Sequence, residues 1–217
     1  KLPEWNGVED NRWGNHRNSN KLSELFTNNS FWYLMGRYIG NGWKKNVQNT
    51  SFGVIICCND SDRDKLSLEK AITDCGFNYT IIKERTVNKI QISSKELYEF
   101  VGRYGYYAYG KKIDGETLNL PVEYLKSFVE GYLVSDGSYI EEPKLYKINS
   151  ISKELIYGIA QCIAKVYKTP YKIYCQKRAD KHTIEDRVVN QSPQWQIVWK
   201  TEKCKQDQAF YEDGYIW

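Results

Sequence analysis

The 217-residue chain has little of what builds thiolate metal sites or membrane spans. Its six cysteines (Cys57, Cys58, Cys75, Cys162, Cys175 and Cys204) contain no Cys-x-x-Cys pair, and His16 and His182 stand apart from them, so a zinc site is not expected. Cys57 and Cys58 are adjacent in an apolar run, which in a strand sends them to opposite faces. Buried free thiols in a reducing cytoplasm are the expected state. No apolar stretch reaches the roughly 20 residues of a membrane span, and no secretory leader is expected. The net charge is also small: 31 basic against 27 acidic residues leave +4. That permits a nucleic-acid partner without requiring one. With 41% hydrophobic residues, the chain can bury a core as one large domain or two smaller ones.

What the chain does have is an order of elements that runs twice. After a polar, turn-rich opening, the spacing of Phe31, Leu34, Met35, Tyr38 and Ile39 predicts a helix that starts near Ser30 and stops at Gly42. "GWKKNVQNTSFGVIICC" reads as strands with a turn at 46–49. A helix follows in "SDRDKLSLEKAITDCG", with Ser61 or Asp60 as cap, Leu66, Leu68, Ala71 and Ile72 as its apolar face, and Gly76 as its stop. "FNYTIIKERTVNKIQIS" reads as a hairpin and "SKELYEFVGRYG" as a short helix capped near Ser94. From Pro121 the order restarts: helix, strand pair, the helix "SKELIYGIAQCIAKVYK", then strands around a long basic loop.

Each round opens on a matching motif, Gly36-Arg-Tyr-Ile-Gly40-Asn41-Gly42 and Gly131-Tyr-Leu-Val-Ser135-Asp136-Gly137. Small residues four apart lie on one helix face and admit a second helix backbone. Helices packed through Gly36/Gly40 and Gly131/Ser135 would bring Asn41 and Asp136 together at their C-terminal ends. The plainer reading of Asn41 is a helix cap before Gly42.

"WYLMGRYIGNGW" and "LKSFVEGYLVSDGSY" resemble the two signature motifs of the LAGLIDADG homing endonucleases, in the two-motif monomeric form found in inteins. "YAYGKKIDGETLNLPVEYLKSF" resembles the segment before the second motif, with Asp114 where that family has proline. The resemblance implies an α+β fold: two pseudo-symmetric αββαββα halves around a two-helix interface, with antiparallel DNA-binding sheets forming a saddle. The expected divisions are an arm at 1–29, halves at 30–115 and 116–205, and a return segment at 206–217. It also implies a metal-dependent endodeoxyribonuclease acting on a long double-stranded site. Mg²⁺ or Mn²⁺ would be held by Asp136, by Asn41 in place of an acid, and by Gly40 and Ser135. Lys111 falls at a catalytic lysine position; its counterpart is expected at Lys203 or Lys205. Magnesium favours carboxylate and water oxygens, and a lysine can stabilise an anionic transition state. Asparagine keeps one acceptor oxygen but drops the charge, so Asn41 is read as a weakened or silenced ligand, or as a variant still tolerant of metal.

The strands that would meet DNA carry Lys44, Lys45, Gln48, Lys83, Arg85, Lys89, Gln91, Lys144, Lys147, Lys172, Gln176, Lys177, Arg178, Gln194, Gln196 and Lys200. Arginine and glutamine read base edges, and lysines mostly meet phosphates. A solvated strand face is equally rich in lysine. Trp5, Arg12, Trp13, His16 and Arg17 of the arm could touch flanking DNA. "KLPEWNG" and "FYEDGYIW" resemble the segments joining an endonuclease domain to its intein splicing domain, so an intein parent and no self-splicing are expected; the two-motif form implies a monomer, and no membrane partner is expected. The rivals are a catalytically dead DNA-binding protein or RNA maturase, and an α+β domain with no nucleic-acid partner.

Overall fold

A computed structural model of the chain describes residues 1–5, 7, 22–48, 51–59, 62–84, 87–176, 181–184, 187–190, 192–200, 211–212 and 215–216. After a 3₁₀ turn at Leu22–Thr27 come α1 (Asn29–Asn41), β1 (Gly42–Val47), β2 (Ser51–Asn59), α2 (Asp62–Asp74), β3 (Tyr79–Glu84), β4 (Val87–Ile92) and α3 (Lys95–Phe100). A second 3₁₀ turn (Val101–Tyr104) leads to the short α4 (Tyr107–Gly110) and α5 (Gly115–Leu118), then to α6 (Val122–Asp136). β5 (Gly137–Ile140), β6 (Leu145–Ser150), α7 (Lys153–Tyr167), β7 (Tyr171–Gln176), β8 (Lys181–Ile184), β9 (Arg187–Asn190) and β10 (Gln194–Lys200) follow. The described residues close with β11 (Tyr211–Glu212) and β12 (Tyr215–Ile216). The chain divides into two compact units, Lys1–Tyr106 with Asp114–Asp136, and Tyr107–Ile113 with Gly137–Trp217.

The first unit is built on an antiparallel sheet of order β1-β2-β4-β3. Alternation sets its two faces. Val54, Ile56 and Cys58 of β2 pair with Ile92, Ile90 and Asn88 of β4, and all six are buried beneath the helices. α1 buries all five apolar positions read from its spacing. Its cap is Asn28 rather than Ser30: the Asn28 side chain accepts from the Ser30 backbone N–H at 2.8 Å. α2 buries Leu68, Ala71 and Ile72, whereas Leu66 is 61% exposed and does not belong to its apolar face. Gly76 ends that turn at φ 71°, a left-handed conformation natural to glycine. Phe26, Phe31, Trp32, Phe100 and Tyr104 form an aromatic core of tilted and edge-to-face rings, with Trp5 against Phe100 at 5.8 Å.

Asp114, standing where the resemblance calls for proline, caps α5 by accepting from the Thr117 backbone N–H at 3.2 Å and pairs with Arg103 at 3.3 Å. A proline could do neither. The departure therefore has a local cause.

The second unit repeats the sheet as β5-β6-β10-β7. The register repeats too: Gly42 opens β1 opposite buried Ile56, and Gly137 opens β5 opposite buried Ile148. α7 is capped by Ser152, whose Oγ accepts from the Leu155 backbone N–H at 3.2 Å and donates to the Lys111 carbonyl at 2.5 Å. Leu155, Ile156, Ile159 and Ile163 are buried along α7, and Tyr157 packs edge-on to Trp195 of β10. β8 and β9 form a hairpin within the stretch read as a basic loop. Among the described residues, no helix is long and apolar enough to cross a membrane.

Of the cysteines expected to be buried, Cys58, Cys75 and Cys162 are; Cys57 is half-buried on the opposite sheet face from Cys58, and Cys175 is exposed. Burial pushes the Cys58 thiol up to about 11 and Cys75 up to about 12. Cys204, Trp13, Arg12, His16 and Arg17 lie outside the described residues.

Candidate metal centre and nucleic-acid interface

α1 and α6, both in the first unit, meet backbone to backbone at the spaced small residues. A Cβ on Gly36 would stand 2.0 Å from the Phe128 carbonyl oxygen, and one on Gly131 would stand 2.1 Å from that of Tyr33. At Gly40 it would meet the Ser135 Cβ at 2.2 Å. The serine tolerated in the fourth small position lies with its hydroxyl 3.4 Å from the Arg37 carbonyl and 3.5 Å from that of Gly131. Gly36→Ala is therefore expected to lower stability by about 2 kcal/mol, despite alanine's helix preference. Gly115→Ala, where nothing lies within 4 Å, is expected to be neutral or slightly stabilising. Urea denaturation of the two variants checks the contrast.

The interface places both helix ends together. Asn41 is the last residue of α1 and Asp136 the last of α6, and the Asp136 carboxyl carbon is 3.6 Å from the position of a Cβ on Gly40. Asn41, Gly40, Ser135 and Asp136 are all half-buried. Helix C-termini present carbonyl oxygens without intrahelical donors and carry the negative end of the macrodipole, so two of them meeting favour a cation. Every donor offered is a hard oxygen: one carboxylate, one amide oxygen and the Gly40 and Ser135 carbonyls. That set suits Mg²⁺ or Mn²⁺, which take one or two carboxylates and complete their shell with water and phosphate. It contains a single anion. Among the described residues, no three His, Cys, Asp or Glu side chains gather into a metal cluster.

Beneath the helix ends, the Tyr132 hydroxyl is fully buried without a well-formed hydrogen bond. Burial, reinforced by the Asp136 carboxylate, raises its pKa well above the ordinary phenol value. The unfolded chain loses this proton near about pH 10 while the folded chain keeps it. Stability is thus full below that pH and falls above it. Tyr132→Phe is expected to lessen the fall between pH 10 and 11 by up to about 1.4 kcal/mol per pH unit, measured by urea melts.

Strand register sorts the sequence-read DNA residues. In the first sheet, Lys45, Lys89 and Gln91 share the face away from the helices, with Trp43, Ile55 and Thr80. Lys45 Nζ donates to Gln91 Oε1 at 3.1 Å, and Lys89 pairs with Glu84 at 2.5 Å. Lys44 and Lys83 fall on the opposite, helix-side rows, beside Val54 and Asn88. Lys44 is held there, 3.8 Å over the Tyr98 ring and 3.2 Å from the Tyr106 hydroxyl. Register thus places Lys44 and Lys83 on the face opposite to that of Lys45, Lys89 and Gln91.

In the second sheet, Lys147, Lys172, Gln176, Gln194, Gln196 and Lys200 all lie on one face, opposite the α7-side row of Trp195, Ile197 and Trp199. Asn149 and Tyr174 join them, unread from the sequence, although the alternation of "KLYKINS" held the signal for Asn149. Gln48 and Lys144 sit in turns with positive φ. Lys111 belongs to the second unit. Arg85, Lys177, Arg178, Lys203 and Lys205 lie outside the described residues.

The same arrangement of helices and sheets occurs in solved structures. Crystal structures of I-DmoI bound to DNA with Mn or with Ca superpose with TM-score 0.56 at 14% identity, over 79% of this chain and 89% or 83% of theirs. The chain has the LAGLIDADG homing-endonuclease fold. No protein-family model matches it. In sequence, the chain is 31% identical over 142 residues to the DNA-directed RNA polymerase subunit Rpo1C of Methanocaldococcus jannaschii, which is 62% of this chain and 16% of that protein. It is 34% identical over 117 residues to an A-type ATP synthase subunit of Pyrococcus abyssi, 52% of this chain and 12% of that protein. The chain spans less than a fifth of the length of either relative.

Proposed function

We propose that this chain is the DNA-binding and endonuclease domain of an intein, recognising a long double-stranded site and weakened in cleavage by Asn41. The carrying observation is the glycine-packed helix pair, which ends at once in Asp136 and Asn41 while feeding two sheets of identical strand order. The intein parent draws support from the relatives. Subunits of an RNA polymerase and of an ATP synthase share no common task, yet a stretch of each resembles this chain. A mobile insert accounts for that.

In this reading the outer sheet faces seat the duplex: Lys45, Lys89, Lys147, Lys172 and Lys200 meet phosphates, and Gln91, Gln176, Gln194 and Gln196 meet base edges. Asp136 holds a Mg²⁺ or Mn²⁺ ion with the oxygens of Asn41, Gly40 and Ser135. The bound ion supplies Lewis acidity to a phosphodiester and to an attacking water. Lys111, with Lys203 or Lys205 as counterpart, offers positive charge to the anionic transition state. Asn41 contributes an acceptor oxygen and withholds the second negative charge, so binding outlasts cutting. The same asparagine favours the second reading, a binding protein or RNA maturase that no longer cuts.

Selection of random duplexes by the full chain tests the proposal. It predicts enrichment of one long sequence, bound with an affinity that falls linearly on log–log axes as salt rises. Preference for a folded RNA would replace it with the maturase reading, and no enrichment would remove the nucleic-acid partner.

A further inference from the structure

Within the second sheet's outer face, one polar side chain is almost covered. Gln196 is 8% exposed, lying between Asn149 of β6 and Tyr174 of β7 in the strand register. Its Nε2 donates to Asn149 Oδ1 at 2.7 Å across the β6–β10 pair. A primary amide has two N–H donors and an acceptor oxygen. Gln196 therefore keeps one N–H and Oε1 free of other partners among the described residues, and Oε1 is not sealed from solvent. The cross-strand bond fixes which way the amide points, at the middle of a face otherwise furnished with Lys147, Lys172 and Lys200.

Surface glutamines are rotamer-rich and lose entropy when they bind. This one is already ordered by its burial and its bond. A fixed amide presenting acceptor beside donor complements adenine in the major groove, whose N6 donates and N7 accepts; the other bases present different patterns. The first sheet has no equivalent. There the matching strand face carries Val87, Lys89 and Gln91, and Gln91 is engaged by the ammonium of Lys45 through its oxygen, the acceptor that adenine N6 would need.

We infer that Gln196, held by Asn149, is an adenine reader that fixes one base in the half-site met by the second sheet. Asn149 acts as a positioning residue and touches no base. The inference rests on the DNA-binding reading above.

Duplex selection with the full chain and its variants tests it. Wild type is expected to enrich an adenine at one position. Gln196→Ala is expected to reduce discrimination at that position by about tenfold or more while other positions keep their preferences. Gln196→Glu, an acceptor only, is expected to move the preference toward cytosine, whose N4 donates. Asn149→Ala should weaken the same position by a smaller factor, with Asn149→Asp, which retains the acceptor, recovering part of it. A Gln196 variant that lowers affinity for all duplexes alike, or leaves every position unchanged, overturns the inference while the DNA-binding reading stands. Failure of the wild type to enrich any duplex overturns both.

Discussion

Asn41→Asp is expected to turn a binder into a cutter. The site where α1 and α6 end offers one carboxylate, Asp136, among neutral oxygens. Magnesium sheds its waters reluctantly and relies on one or two carboxylates beside the substrate phosphate. A second carboxylate restores a charge without changing the shape of the side chain. Loss of a mere outer-shell partner lowers metal affinity or activity by about 10–100-fold. On the proposed reading that Asn41 stands at a direct ligand position, the regained charge should raise Mg²⁺-dependent cleavage by at least about 100-fold. The measurement is strand scission of the selected duplex on denaturing gels, with wild type beside Asn41→Asp and Asn41→Ala. One cut per strand, abolished by EDTA and by Asp136→Asn, is the expected result. Alanine should gain nothing, because it brings no charge. An aspartate variant that binds as wild type and never cuts would remove Asn41 from the metal site.

The second large effect lies inside the same helix. Arg37, between the two motif glycines, is fully buried, and its Nη1 is bonded to Asp64 of α2. Burial works against the guanidinium's charge, and the hydrogen bond and charge of Asp64 more than offset it, leaving its pKa raised. Asp64 also accepts from the Asn59 backbone N–H at 3.0 Å, tying the end of β2 to α2. Arg37 Nε and Nη2 have no well-formed hydrogen bond, and the weaker interaction with Tyr33 is all that remains beside Asp64. Asp64→Ala thus strands a buried cation, at about 3–5 kcal/mol. For a chain of this size that amounts to a Tm lower by about 10 °C. Replacing both partners with apolar residues, as in Arg37→Met with Asp64→Leu, should recover much of the loss, since no charge is then left unpaired. Calorimetry of the single and double variants decides it. Equal losses would mean that Arg37 acts through its packing alone.

Much of this was legible in the sequence because the signals are local. Helix α1, its stop at Gly42, the close approach at Gly36 and Gly131, and the second round of elements all follow from spacing within a dozen residues. Asn28 displaced Ser30 as the cap because both residue types suit the role, and only the turn preceding α1 chooses between them. The faces of the strands were not legible. Lys44 and Lys45 look alike in sequence, and which one turns to the helices depends on pairing with Val54 and Gly53, set by the core. The Arg37–Asp64 pair spans two helices and carries no sequence pattern. The Gln196–Asn149 bond joins strands 47 residues apart, beyond the reach of any local rule.

If Asp136 and Asn41 close one divalent-ion site, the ion's affinity must follow the charge they supply. The most direct test is Mn²⁺ uptake by the complex with the selected duplex, read from the EPR signal of free Mn²⁺ against duplex alone. Affinity should rank Asn41→Asp above wild type and wild type above Asp136→Asn. Equal uptake by all three would contradict a shared site.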